Sequence, residues 1–388
     1  ISLLDKHHMS CIIVEQSEFV FFRVNNWEDM MNLPEKMKAL VLMGPDHQEL
    51  KMVPVPKPGP QEVLIQVESC AVCSTDVALI HKAFPGQPPY GVHITGHEYS
   101  GIVVALGDTV DEFAIGDRVA VEAHNGCGRC RNCRLGDYTS CLNYGNTKKG
   151  HRANGFTTPG GNAQYVVNHI NTVHKIPDHI SFDVASLVTN LGCALYGYET
   201  MGGYIAGQNV LVIGPGPLGM ASVAAAKALG ANRIFLSGTR ASRLAVGKAL
   251  GADRLIATAE EDPYEVVMRE TNGIGLDYVI EVSGSKAGLD LAIKALKRNG
   301  KMLLLGIPHE PVPIDLEDMS LNDKDIFAIR GESRANVARA VSLLANGKVN
   351  LAPLVTHSFP ITKFEEAYRT FNQRIDGALK VIIKPQQE

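Results

Sequence analysis

From about residue 185 onward the chain alternates between short apolar runs and segments whose apolar residues recur at helical spacing. Ser222-Val-Ala-Ala-Ala-Lys-Ala-Leu-Gly230 reads as helix, Arg233-Ile-Phe-Leu-Ser237 as a buried strand, and Leu244 to Leu250 as helix again. Asp277-Tyr-Val-Ile-Glu-Val282 and Lys301-Met-Leu-Leu-Leu-Gly306 are further strands. Strands alternating with helices predict βαβ units on a parallel sheet. The earlier half has a different grain. Val63-Leu-Ile-Gln-Val-Glu-Ser69, Gly101-Ile-Val-Val-Ala-Leu-Gly107 and Gly116-Asp-Arg-Val-Ala-Val-Glu122 are strand-like. Turns such as the cluster Pro54, Pro56, Pro58, Gly59 and Pro60 break them, which predicts an antiparallel, barrel-like region. Residues 126–165 read as loop. Residues 1–36 share neither grain. They hold Trp27, the only Trp, and precede the strand-like Met37-Lys-Ala-Leu-Val-Leu-Met43. They are expected to be an extension or an upstream read-through.

A length of 388 residues predicts two or three domains. Apolar residues at 45% and charged residues at 20% fit an ordinary soluble globular protein, expected in the cytoplasm. The net charge of −4 gives no general pull toward nucleic acid or anionic membrane. No apolar run reaches the length of a membrane span. Between Cys11 and Val24, the charges Glu15, Glu18 and Arg23 argue against a signal peptide.

Four of the eight cysteines crowd into one short stretch, and this favours a metal over disulfides. Cys127, Cys130 and Cys133 are separated by two residues each, and Cys141 follows after seven. Four thiolates fill the tetrahedral shell of a structural zinc and leave no position for water. An iron–sulfur cluster uses similar spacing. A nucleic-acid-binding zinc ribbon is the rival outside enzymes, since Arg129, Arg131, Arg134, Lys148, Lys149 and Arg152 lie in or near the row. The net charge and the lack of stacking aromatics in the row weigh against it. Elsewhere Cys73 and His97, with one more soft ligand such as Cys193, would make a three-ligand zinc whose open fourth position suits catalysis.

Cys73-Ser-Thr-Asp76, then Gly96-His97-Glu98-Tyr-Ser-Gly101, then the cysteine row, resembles the zinc-containing medium-chain alcohol dehydrogenase superfamily, in its polyol (sorbitol-type) and threonine dehydrogenase branches. The resemblance runs from about Met37 onward. It implies two zincs per chain, one catalytic and one structural. It also implies a GroES-like, mostly β catalytic domain over 37–187 and a Rossmann domain over 188–330. Residues 331–388 would return to complete the catalytic domain. Cys73, His97 and Cys193 would hold the catalytic zinc, with Glu98 as an exchanging ligand. The acidic position that some branches use as ligand is Thr189 here. Asp76 would orient His97, and Thr75 would begin the proton relay. The relay histidine of many members falls on Ala78, and His81 is its only nearby substitute, more naturally a surface histidine. A homo-oligomer, dimer or tetramer, is implied as well.

Asn209-Val-Leu-Val-Ile-Gly214-Pro-Gly216-Pro217-Leu218-Gly219 is a strand running into Gly-x-Gly-x-x-Gly, with helix after it. In that context the pattern is a dinucleotide turn with the pyrophosphate at the helix N-terminus. An NAD-specific enzyme carries Asp or Glu at the end of the next strand. Here that position is Gly238, followed by Thr239 and Arg240. A missing carboxylate and an added guanidinium favour a ribose 2′-phosphate. This looks like the arrangement of NADP-dependent members and predicts NADP over NAD, with Arg243 as a possible aid. Resemblance also places Glu281 to Gly284 and Leu305 to Ile307 at the nicotinamide, with Arg330 as a late cofactor contact. The expected reaction moves a hydride between a secondary alcohol, of polyol or cyclitol type, and NADP(H). The rival substrate is an amino alcohol of the threonine type.

Overall fold

The computed structural model describes residues 33–388, so the expected extension falls outside the described residues over 1–32. Strand β1 (Lys36–Gly44) pairs antiparallel with β2 (His47–Pro54). There follow β3 (Glu62–Ala71), β4 (Glu98–Leu106), β5 (Arg118–Val121), β6 (His124–Asn125), β7 (Arg152–Ala153), β8 (Tyr165–His169) and β9 (Val173–Lys175). Alternation in β3 sends Val63, Ile65 and Val67 into one core with Tyr99, Val103, Val119 and Val121. This is the period-two burial of a strand with one face inward.

The next six strands are β10 (Asn209–Ile213), β11 (Arg233–Gly238), β12 (Arg254–Ala257), β13 (Leu276–Glu281), β14 (Leu296–Leu304) and β15 (Asp325–Ala328). They form one sheet in the order β12-β11-β10-β13-β14-β15, and every neighbouring pair is parallel. This is the doubly wound Rossmann order, with its reversal between β10 and β13. Val210 and Val212 of β10 pack on one face against the helices Val188–Thr200, Pro217–Ala228 and Asn336–Ala345. Leu211 and Ile213 pack on the other against Pro263–Glu270 and Lys286–Ala295. Burial on both faces explains why these strands read as unbroken apolar runs.

The last strands, β16 (Val355–Pro360) and β17 (Lys380–Lys384), pair with each other and leave the Rossmann sheet. β17 runs antiparallel beside β3, giving the order β16-β17-β3-β4-β5-β9, with β8 also on β3. The carboxyl ends of the Rossmann strands therefore belong to the same unit as a sheet built from both ends of the described chain. Among the described residues no helix is long and apolar enough to cross a membrane.

Candidate active site

Strand register brings the first cluster together. β3 and β4 pair so that Ala71 faces Glu98, which sets Cys73, just past β3, beside His97, just before β4. Cys73 is the N-cap of the helix Ser74–His81, and Asp76 in its first turn accepts the Cys73 N–H at 3.1 Å. The other oxygen of Asp76 accepts the Gly96 N–H at 3.3 Å and lies 2.9 Å from His97 Nδ1. With Nδ1 so engaged, Nε2 is the nitrogen left to ligate a metal once its proton is given up. Ligand atoms of Cys73, His97 and Glu98 all lie within 4.8 Å of one another. Burial opposes protonation of His97, yet Asp76 and Cys73 outweigh it and hold its pKa well above the ordinary value. A thiol and two carboxylates that crowd a buried imidazole suit a cation.

Cys193, on the helix Val188–Thr200, is not in that group. Its Sγ lies 3.7 Å from Glu332 Oε2. Burial, then the nearby Glu332, Glu98 and Cys73, push the Cys193 thiol well up. Glu98 is held from two sides. Asn190 donates to its Oε1 at 2.9 Å, and Lys380 of β17 pairs with its Oε2. Neither carboxylate nor ammonium is more than about 2% exposed. The hydroxyl of Thr189 is buried with no partner among the described residues.

Glu332, just beyond β15, is also buried. Its Oε1 accepts the N–H groups of Ala123 at 2.9 Å and His124 at 3.3 Å, and His124 Nδ1 lies 3.2 Å away. Burial raises its pKa, but His124, its own backbone N–H and His97 more than offset this, and the net shift is downward. The His124 ring lies 5.7 Å from that of Phe156, which in turn sits 4.6 Å from His97 and 6.2 Å from Phe84. His97, Phe156, Phe84 and His124 thus form one aromatic wall.

Thr75 Oγ1 lies 3.7 Å from Cys73 Sγ. His81 is exposed and pairs with Asp46, so it behaves as a surface histidine. Replacing His81 by Ala is expected to leave the pH–rate profile unchanged. A shifted profile would restore it to the proton path.

The cysteine row closes on itself. The four sulfurs lie within 4.8 Å of one another, with Cys127–Cys133 at 3.9 Å and Cys130–Cys133 at 3.4 Å. A tetrahedron of sulfurs at the usual zinc–sulfur distance has an edge of roughly 3.8 Å. Main-chain N–H groups point at the sulfurs from Cys130, Cys133 and Asn143. Burial raises the Cys127 thiol, but the Asn143 side chain and the amides of Arg129 and Cys130 bring it down to about 6. Burial and the adjoining cysteines push Cys133 up to about 12. So many thiols so close cannot all ionise without a cation, and four sulfurs with no carboxylate or water position fit a structural zinc.

The glycine turn lines a cleft of about 680 Å³ outside β10, β11 and β13. Gly216 caps the helix Pro217–Ala228, with Pro217 at its first position. A Cβ on Gly219 would lie 2.1 Å from the Gly214 carbonyl, so this residue lets helix and turn meet, whereas a Cβ on Gly216 would meet open space in the cleft. A Cβ on Gly238 would lie 2.4 Å from the Pro215 ring, so the site of the usual acid is filled by proline. Thr239, Arg240, Arg243 and Arg374 line the same end. Arg243 spends its Nη2 on the Ala378 carbonyl at 2.6 Å. Burial, then Arg374 and Arg240, lower its pKa to about 10. Among the described residues none of Arg240, Arg243 and Arg374 is paired with a carboxylate. Asp262, also in the cleft, is occupied in capping Tyr264 and Glu265.

Two family models match. The alcohol dehydrogenase GroES-like domain covers residues 59–178, and the zinc-binding dehydrogenase domain covers 217–346. L-threonine 3-dehydrogenase of Pyrococcus horikoshii is 35% identical over 360 residues, 91% of this chain and 100% of its own. Sorbitol dehydrogenase of Bacillus subtilis is 30% identical over 361 residues, 91% of this chain and 98% of its own. The chain belongs to the zinc-containing medium-chain alcohol dehydrogenase superfamily. Among solved structures, a zinc-binding dehydrogenase of Sinorhizobium meliloti bound to NADP superposes with a TM-score of 0.82 at 28% identity. The match covers 91% of this chain and 100% of that one.

In this medium-chain dehydrogenase Arg330 is not among the residues that line the 680 Å³ cleft. It donates to the Thr139 carbonyl at 2.7 Å and lies 4.5 Å over the Tyr144 ring. The reason is local: Ser333 bonds Gly136 and Arg334 pairs with Asp137, so the whole segment is fastened to the cysteine lobe. Glu332, Lys380, Asn190 and Arg374 were not singled out in the sequence. Lys380 carried a signal, since a Lys inside the apolar run Leu379 to Ile383 demands a buried partner.

Proposed function

We propose that this dehydrogenase transfers a hydride between a secondary alcohol, of polyol or cyclitol type, and NADP(H). The observation that carries the reading is the pair Cys73 and His97, whose donor atoms lie within 4.8 Å of each other on the sheet that shares a unit with the cofactor cleft. Cys73 and His97 hold the catalytic zinc, with Cys193 or Glu98 as third ligand, and the cysteine row holds a structural one. A zinc there supplies Lewis acidity that lowers the pKa of an alcohol hydroxyl. Asp76 fixes the tautomer of His97. Thr75 takes the hydrogen bond of the substrate hydroxyl and starts its proton outward, with no histidine at Ala78 to follow. The glycine turn and the helix behind it seat the pyrophosphate. Gly238, Thr239 and Arg240, with Arg374 beside them, receive the 2′-phosphate. The names of the threonine dehydrogenase relatives favour a second reading, an amino alcohol as substrate.

The cofactor part is tested on Arg240→Ala. A charge-assisted hydrogen bond lost here should lower kcat/KM for NADP by roughly ten- to hundredfold and leave NAD almost untouched. A wild type that prefers NAD would overturn this part of the reading.

A further inference from the structure

We infer that the arginine end of the cofactor cleft is an oxyanion site in its own right, which inorganic phosphate fills when the cofactor is NAD, and that this phosphate tightens the hold on NAD. This rests on the cofactor placement proposed above and adds a regulatory ligand to it. Arg240, Arg243 and Arg374 line one cleft, and among the described residues none of them is paired with a carboxylate. Arg243 feels both of the others, since burial and then the charges of Arg374 and Arg240 depress its pKa. Asp262, in the same cleft, is spent on the amides of Tyr264 and Glu265. Asp290 and Lys294 lie one turn apart on the helix Lys286–Ala295 and offset each other. The helix Ala241–Ala249 begins at the arginines as well. Its N-cap is Arg240, whose side chain makes no capping bond, so the first amides of the helix add further donors for an anion.

Arg374 comes from the segment that returns to the first sheet. It caps the helix Phe364–Gln373 at φ 58°, and Asp376 and Gly377 follow at 49° and 75°. This left-handed turn ends at Ala378, whose carbonyl accepts Arg243 Nη2 at 2.6 Å. Arg243 thus clasps the turn that presents Arg374, and the site is built before any anion arrives. Three cations gathered without a counter-charge repel one another, and a dianion relieves this. In NADP the 2′-phosphate is that anion. NAD brings only a 2′-hydroxyl, a donor that NAD-specific enzymes meet with a carboxylate at the end of the second strand. The Pro215 ring fills that place beside Gly238, so the hydroxyl finds no acid there. A phosphate held by the arginines supplies the acceptor and the missing negative charge together. The two bindings are then coupled, and each strengthens the other by the same factor.

The two cofactors should therefore answer phosphate with opposite sign. Zinc-loaded, full-length enzyme is titrated with NAD and with NADP by calorimetry, with and without potassium phosphate, at an ionic strength matched with potassium chloride. Phosphate should lower the Kd for NAD by roughly tenfold and raise that for NADP by competition. Titrated alone, phosphate should bind the enzyme–NAD complex more tightly than the free enzyme by the same factor. Arg374→Asn leaves a residue that accepts the left-handed backbone, so the turn is spared. It should weaken NADP and remove most of the phosphate effect on NAD. An effect of the same sign on both cofactors, as phosphate on the catalytic zinc would give, overturns the inference. So does an effect missing from either cofactor, or an Asn variant that keeps the full response. NADP bound more weakly than NAD in phosphate-free buffer sinks the cofactor preference proposed above, and the sign of the phosphate effect on NAD still decides this inference.

Discussion

Replacing Cys73 by Ser or His97 by Ala is expected to remove one zinc per chain and to lower kcat/KM by about a thousandfold or more. Lewis acidity contributes several kcal/mol to a reaction of this kind, and each ~1.4 kcal/mol is a factor of ten. The change should fall on kcat, because the lost interaction acts on charge that develops in the reaction. Metal analysis beside steady-state kinetics checks it, and unchanged zinc content with an unchanged rate would refute the assignment. The same measurement on Glu98→Gln and Cys193→Ser decides the third ligand. Lys380 and Asn190 occupy both oxygens of Glu98, while Cys193 has only Glu332 for a partner. Loss of zinc is therefore expected in Cys193→Ser, with Glu98→Gln retaining it.

The second large effect belongs to the cysteine row. Cys133→Ser should lose the other zinc and lower Tm by roughly 10 °C or more. Loss of a structural metal belongs to the few changes that exceed about 4 kcal/mol, and each kcal/mol is worth about 2–4 °C in a chain of this order of size. The lobe also anchors the segment that carries Glu332, through Thr139, Gly136 and Asp137. Activity should thus fall although this zinc takes no part in chemistry. Calorimetry with metal analysis is the check. An unchanged melting profile after loss of that zinc would show the lobe to be dispensable for stability.

The parts of this molecule that can be read along the sequence are those made by neighbours in the chain. Gly214 to Gly219 fold into their turn locally, and the cysteine row closes within one loop. The alternation of Val63, Ile65 and Val67 announces one buried face, and the unbroken runs of β10 and β11 announce two. The residues that escaped are those whose meaning comes from a distant partner. Glu332 sits between Arg330 and Arg334 and looks like a solvated turn until the fold sets it against His124, 208 positions earlier. Asn190 looks like any polar helix residue until Glu98 is beside it. That Gly238 brings no acid is plain in the sequence, but the contact that would exclude a side chain there, the Pro215 ring, depends on how the turn lies against β11. The place of Arg330 depends on distant partners in the same way. Resemblance suggests a cofactor contact, while its neighbours tie it to the cysteine lobe.

The pairing of β17 with β3 has a consequence for how the protein comes into being. The contact between Lys380 and Glu98 spans 282 positions, and everything between β9 and β16 must be synthesised before it can form. Until then Cys70 and Ala71 present an open strand edge, and Glu98 sits without its cation. A nascent chain on the ribosome would hold a finished nucleotide-binding half and an incompetent catalytic half. Folding should show a slow late phase, set by the closing of this long loop, and the waiting edge of β3 is where intermediates would aggregate or recruit a chaperone.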